Sequence, residues 1–459
     1  MRTYIRSMMR LFTIVPLLAL SLIATVPIAR GDQPPPYRSM LYRPMIEAAR
    51  QAQTAALAAA NPRATNSRSL TLVGSLALPG FNADVWAHKG FAYVGTWGAG
   101  PDACPATGVR IIDLDEPNDP TLVGAVAAIP DSTQEDVEVT RVNTRFFHGD
   151  LLVTGIQSCS DVGPQGIDIW DVTDPRHPQH LGFWDSIGAF GVHELDLFQR
   201  GNRVFVAAAT PFAEFAIGEG DFRLVEVTDP RHPVQVGEWG LSDIGTKPNC
   251  DDFAQFCTFD HSVTVNENGK MAILSYWDFG AVFLDISDPA HPTFVGRTVY
   301  PTGADGDTHS VALARGDNLL LTADEDFSPG EILNPPPDDT WGFLRIWNVK
   351  NPAAPVEIGR FSTANSLSTR SDGFYSIHNP VVRGNTAYLS WYTDGVRVVD
   401  ISRPRAPREI ASFVPPGVED PFGFFPPVPI VWGVVVERDL ILLSDMNAGL
   451  YVLKQKHAE

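Results

Sequence analysis

From Leu70 to Leu453 the chain alternates short apolar runs with clusters of Gly, Pro, Asp and Asn. Runs rich in Val, Ile, Leu, Phe and Tyr between such clusters are strands bounded by tight turns. One stretch shows the whole unit. His261–Val265 reads as a first strand and 266–269 as a turn. Met271–Tyr276 is a second strand and Val282–Ile286 a third. The turn Asp288-Pro289-Ala290-His291-Pro292 leads to a fourth, Thr293–Thr298. Four antiparallel strands per repeat predict one propeller blade.

The turn before the fourth strand recurs as D-φ-[S/T]-D-P-x-x-P-x-x-φ-G, clearest at Asp171–Gly182. Copies carry Pro230/Pro233 and Pro289/Pro292, and weaker ones Pro117/Pro120, Pro352/Pro355 and Pro404/Pro407. Their spacing runs from 52 residues (Pro352 to Pro404) to 63 (Pro289 to Pro352), a repeat architecture. Proline fixes φ and donates no hydrogen bond, so it suits the turn and the edge strand after it. The Asp or Ser before it can bond nearby amides.

Six blades are marked in this way. The last stretch offers only three strands, Ile430–Val436, Leu440–Asp445 and Gly449–Leu453. The missing fourth lies at the other end: Leu70–Ser75 copies the outer strand Pro120–Ala125. The expected fold is therefore all-β, a seven-bladed β-propeller of four-stranded blades over residues 70–453. Its last blade is closed by the N-terminal strand, which removes the open edges. A tandem sandwich is the alternative, but it would not need a permuted strand.

The units Gly166–Pro175, Ala281–Pro289 and Gly395–Pro404 resemble LVIVD repeats, a family found in exported bacterial proteins. The resemblance covers about residues 70–453 and implies a seven-bladed propeller. It implies no activity, because members share no established one. Glu226, Asn348 and Arg403 replace the usual Asp in three copies, where a turn contact should be lost.

The ends add a location. Arg2, Arg6 and Arg10 precede an apolar run, Leu11–Val26, with small residues near Ala29. Residues 1–30 read as a signal peptide, or as an uncleaved anchor. Residues 31–69, with Pro34–Pro36 and the Ala-rich Ile46–Ala60, read as a linker, and 454–459 as a tail. Four cysteines fit an oxidising compartment. Cys104 with Cys159 and Cys250 with Cys257 are the natural pairs among three possible connectivities. Export to the periplasm, the cell surface or the medium follows. The net charge of −20 argues against nucleic acid and favours cations or basic partners. A membrane enters only through the anchor. No oligomer interface is signalled, so a monomer is expected.

Candidate chemistry concentrates where first strands begin. His193, His261, His309 and His378 open the first strands of four consecutive blades, which line the central channel. Glu194, Asp260 and Asp307 stand beside them. Imidazoles with carboxylates suit a divalent transition metal, which can activate water or polarise a carbonyl. The competing role is bracing, as in WD40 repeats, with Asp278, Asp324 and Asp394 as partners. Blades 1, 2 and 7 offer Asn82, the Asp136 region and Trp432 instead. His88 and His148 are off-register.

The second-to-third strand loops vary, with insertions at 211–221 and about 326–341. Varied loops on a rigid scaffold form binding faces. Trp97, Trp277, Trp341 and Trp391 near them could stack on a sugar or hold a peptide. Asp324, Glu325 and Asp326 with Glu331 could bind Ca²⁺, without the spacing of a calcium hand. G-x-S-x-G, P-loop and H-E-x-x-H motifs are missing. Two function classes remain. One is a binding module for a protein, glycan or small-molecule ligand at an acidic loop-rich face. The other is a metal-dependent hydrolase or oxidase with its site at the channel mouth.

Overall fold

The computed structural model describes residues 65–66 and 70–455, except 79, 99, 101–102, 161–162, 187–190, 251–256, 302–305, 328–339, 369, 371 and 421. The expected signal segment, most of the linker and most of the blade 5 insertion, including Glu331, lie outside the described residues. No described helix is long and apolar enough to cross a membrane.

Seven antiparallel sheets follow one another along the chain, each with at least four strands. Their inner strands are Asn82–His88, Val137–Asn143, Leu195–Arg200, Asp260–Val265, Thr308–Ala314, Pro380–Arg383 and Val431–Glu437. Each inner strand touches the next, and the seventh touches the first, so they enclose a channel. This is the seven-bladed propeller. The closure is the one expected: Leu70–Ala77 pairs antiparallel with Gly449–Gln455, Ser75 lying opposite Tyr451. A two-residue strand, Thr65–Asn66, also pairs with Phe413–Val414 on the outer edge of blade 6.

Burial follows from stacking. Second strands such as Leu440–Asp445 are buried on both faces, while outer strands such as Val234–Trp239 are half exposed. The core is accordingly a series of layers between blades. Phe205 and Leu224 of blade 3, for example, pack against Val263, Leu274 and Val282 of blade 4.

The recurrent turn explains how the blades are held together. Its first Asp accepts the amide two residues on: Asp171 from Thr173 (2.9 Å), Asp285 from Ser287 (2.8 Å), Asp400 from Ser402 (2.8 Å). The residue before each Pro accepts an amide three residues on, as with His232 N to Asp229 O (2.9 Å). The closing glycine then packs on the next blade. A Cβ built on Gly182, Gly237, Gly296 or Gly359 would lie 2.4, 2.1, 2.4 or 1.9 Å from the carbonyl of Pro230, Pro289, Pro352 or Pro404. Gly74 meets Pro117 in the same way at 2.3 Å, across the ring closure. Blade 6 carries Ala411 in this place, and blade 7, which it faces, has no such turn. The motif is thus an inter-blade lock.

The expected loss of a side-chain contact in the three variant copies needs correction at Asn348 alone. Asn348 still accepts from the Lys350 amide at 3.2 Å. Arg403 still closes its turn, Ala406 N to Arg403 O, at 2.8 Å. Glu226 exchanges the amide for Arg203 (2.7 Å) and the Thr228 hydroxyl (2.6 Å).

Candidate functional site: a histidine arc in the channel

The site grows from an irregularity shared by the inner strands. Asp260 lies opposite Tyr276 and Ser262 opposite Ser275, so the register skips His261. It skips His309 likewise between Thr308 and Ser310. A β-bulge re-aims a side chain. His193 and His378 stand two residues before their inner strands. The same station holds Trp432 in blade 7, Ala83 in blade 1 and Glu135 in blade 2.

The four imidazoles form one continuous arc. Ring centroids lie 4.3 Å apart for His193 and His261, 4.0 Å for His261 and His309, and 4.2 Å for His309 and His378. Trp432 extends the arc at 4.6 Å from His378. None of the four histidines is more than 4% exposed. Burial, and then the neighbouring imidazoles, hold His261 and His309 well below the ordinary histidine range. Burial lowers His378 to about 3. These three rings are therefore neutral at physiological pH.

Hydrogen bonds set the tautomers. His378 Nδ1 donates to Trp432 O (2.8 Å), which leaves Nε2 as a lone pair. His193 Nδ1 lies 3.0 Å from both Gln157 Oε1 and Glu135 Oε2, so it is the donor. His193 Nε2 then faces His261 Nε2 at 2.9 Å. Two nitrogens on one ion at right angles, each about 2.1 Å from it, would be about 3.0 Å apart. Carboxylates complete two clusters whose ligand atoms lie within 4.8 Å of one another: His193, Glu194 and His261, and His261, His309 and Glu325. Glu194 Oε1 is 3.8 Å from His261 Nδ1, and Glu325 Oε2 is 3.7 Å from His309 Nε2. Burial pushes both carboxyls well up.

The family model of the LVIVD repeat matches residues 266–299 and 379–414. The chain carries LVIVD repeats. No curated protein matches the LVIVD propeller in a sequence search. Solved structures share its fold. One is Chaetomium thermophilum Raptor (13% identity, TM-score 0.54), covering 89% of this chain and 30% of that one. Another is the Myceliophteria thermophila Cps50 (Swd1) β-propeller domain (12% identity, TM-score 0.51), covering 84% and 100%. The chain thus spans under a third of Raptor's length. At such identities the likeness concerns fold alone.

Other expected site residues are placed differently. Asp260 is fully buried beside Asp221, belongs to neither cluster, and neither of its oxygens finds a hydrogen-bond partner. Asp307 is also outside both clusters; its backbone carbonyl accepts the Glu325 amide at 2.8 Å. The expected bracing aspartates have other partners. Asp278 takes the Cys257 amide (2.5 Å), Asp324 pairs with Arg345 (2.6 Å), and Asp394 takes Thr363 Oγ1 (2.5 Å) and Asn365 Nδ2 (2.7 Å). The bracing seen is from His193 to Gln157 of blade 2 and from His378 to the Trp432 carbonyl of blade 7. The supposed calcium group is split, because Asp324 turns to Arg345 while Glu325 turns to the arc.

Trp97, Trp277, Trp341 and Trp391 are 1%, 4%, 1% and 0% exposed, which leaves no ring face for a sugar. Trp341 and Trp391 donate to Arg370 O (2.8 Å) and Tyr375 O (2.6 Å). Trp277 packs 5.4 Å from His261, and Trp97 joins Phe81, Phe425 and Trp432 in an aromatic cluster. Both expected disulfides are present, Cys104–Cys159 and Cys250–Cys257. They fit an extracellular or periplasmic protein.

Sequence reasoning missed Glu135 and Glu325. Counting two residues back from each inner strand would have found Glu135. Alternation at the end of the second strand of blade 5 would have separated Glu325 from Asp324.

Proposed function

We propose that this exported LVIVD propeller is a metal-binding module. A transition-metal ion would sit in one of two clusters that share His261, either with His193 and Glu194 or with His309 and Glu325. One observation carries the reading: neutral, buried imidazoles converge with polar atoms that have no hydrogen-bond partner. These are His261 Nδ1, His309 Nδ1, His378 Nε2 and Glu194 Oε1. Orphaned buried polar atoms are costly and rare, and a cation would remove that cost. The nitrogen-rich donor set suits Zn, Mn, Fe or Cu better than Ca²⁺. An ion with an open position could activate water, as a hydrolase needs, or meet oxygen, as an oxidase needs. The channel beside the arc has a cavity of about 140 Å³, which favours small substrates over polymers by that route.

Elemental analysis of protein purified without chelators tests this. About one equivalent of transition metal per chain is expected. The double variant His261→Gln/His309→Gln should lose it while keeping the wild-type far-UV spectrum. Wild type that holds no metal after loading with Zn²⁺, Mn²⁺, Fe²⁺ and Cu²⁺ and then dialysis would sink the proposal.

A second reading is an interaction module at the acidic loop-rich face, for a protein, glycan or small ligand. It is favoured by the disulfide between the Cys104 and Cys159 loops of adjacent blades. Loops ordered in advance lose less entropy on binding. On a glycan array, binding that survives in the metal-free double variant would favour the loops.

A further inference from the structure

The two ends of the channel differ in how they meet solvent. Inner strands begin beside the arc and end among the turns. The turn after the inner strand of blade 4 bonds the start of that blade's Asp-Pro turn, Ile286 N to Lys270 O at 2.9 Å. Exposure rises in that direction. In Asp260–Val265 the first four residues are buried and the last two half-buried, and Glu267 beyond them is exposed. In Thr308–Ala314 the first four are buried, Ala312 and Leu313 are half-buried, and Arg315 beyond is exposed. Val431–Glu437 is likewise buried up to its last two residues. Water thus meets these strands from the turn face.

The empty space follows the same gradient. One residue past the arc lies a waist of about 140 Å³, and beyond it a vestibule of about 580 Å³ rimmed by Glu267, Arg315 and Gly384. Both cavities are lined by Glu138, Asp196, Thr264, Val311, Pro380 and Val381, so they are continuous. Glu194 joins the waist to the arc. It lines the waist, and its Oε1 lies 3.8 Å from His261 Nδ1. The loop end is filled with rings instead. Trp277 lies 5.4 Å from His261, while Tyr392 and Trp432 lie 5.0 and 4.6 Å from His378. Each is backed by a further ring, Phe259 at 5.3 Å, Phe374 at 6.4 Å and Trp97 at 5.6 Å. None of the six is more than 4% exposed. Close-packed rings of this size turn aside only by opening the core they fill.

We propose that the arc is entered from the turn face, through the vestibule and the waist, and that this narrow route admits ions and small molecules only. Where the visitor is a metal ion, this rests on the metal-binding reading of the arc; the route itself does not. A polymer held at the loop face would then never touch the histidines.

A plug at the junction of the two cavities is the test. All four natural cysteines are in disulfides, so Thr264→Cys supplies the one free thiol. N-ethylmaleimide should reach it from the vestibule and fill the junction. Loading of the full chain with Co²⁺ alone, followed by visible absorption, should then be at least roughly tenfold slower than in wild type treated alike, a shift within the range of association rates among variants of one site. The final equivalent should be unchanged, because the arc is untouched. Carbethoxylation of His261 and His309 by diethyl pyrocarbonate, read by peptide mass spectrometry, should slow in parallel. Should Thr264→Cys fail to fold, Val381→Cys offers a thiol lining the same junction. Phe422→Cys is the loop-side control, since Phe422 is 37% exposed and 4.6 Å from Phe81; its labelled form should load and react as wild type does. A thiol at 264 that stays unlabelled overturns the proposal. So does a labelled junction that loads and reacts like wild type, or a labelled Phe422→Cys that alone is slow. Wild type that takes no Co²⁺, while the plug still shields His261 and His309 from the pyrocarbonate, sinks the metal reading and leaves the route standing.

Discussion

The carboxylates of the Asp-Pro turns and those of the channel side are the same chemical groups in opposite states. On the turns, Asp174, Asp229 and Asp288 bond His177, His232 and His291 at about 3 Å, and these contacts hold them below the usual range. On the channel and loop side, Asp84, Asp136, Glu194, Asp221 and Asp260 are all pushed up, and burial is the largest cause for each. The formal charge of −20 therefore overstates the negative charge of the interior. The turn side follows the repeat and holds blades together. The channel side departs from the repeat and keeps its acids buried.

The largest expected effect lies on the turn side. Gly237→Val would drive a Cβ to within 2.1 Å of Pro289 O, a backbone atom that cannot yield without moving blade 4. A loss of about 3 kcal/mol in urea unfolding is expected from such overpacking. Gly124→Ala is the internal control. Its Cβ would lie 3.9 Å from Pro175 O, an ordinary contact, and should cost less than about 1 kcal/mol. Equal losses at the two sites would show that the glycines serve something other than the lock.

The next effect separates the two sides by pH. Burial raises Asp221 to about 8, against 3.8 for the unreacted side chain, although it accepts the Glu214 amide at 2.9 Å. The folded state then keeps a proton that the unfolded chain gives up near pH 4. The group's contribution to stability is full below pH 4 and declines as pH rises to about 8. Asp221→Asn keeps an oxygen acceptor and removes that slope. Between pH 5 and 8 wild type should lose roughly 3–4 kcal/mol more than the variant. Turn-side Asp229 has the opposite sign. Its lowered pKa supports folding above pH 4 and loses that support on acidification, weakly because water screens it. A wild-type slope no different from the variant's would mean that Asp221 is ionised in the fold.

What the sequence displayed follows the same division. The turns were legible because Pro, Asp and Gly impose backbone geometry locally, and Leu70–Ser75 revealed ring closure by copying its counterpart in blade 1. The arc was legible in part, because the histidines fall at one station of the repeat. Glu135 and Glu325 were hidden because their neighbours Asp136 and Asp324 are equally acidic, and only strand register decides which turns inward. The tryptophans misled because all four are buried, Trp391 at the end of the second strand of blade 6.

The smallest effect sharpens the comparison at its quiet end. Asp285 accepts the Ser287 amide at 2.8 Å in blade 4. Blade 5 carries Asn348 at the same station, and it accepts the Lys350 amide at 3.2 Å. The capping thus needs an oxygen and not a charge, so Asp285→Asn should move Tm by less than about 2 °C. Asp285→Leu removes the acceptor altogether and should move Tm further, by roughly 2–4 °C, the shift expected when about 1 kcal/mol of capping is lost. If the Asn variant fell as far as the Leu variant, charge would matter on the turns after all. The contrast between exposed, charge-indifferent caps and buried, proton-holding acids would then have to be redrawn.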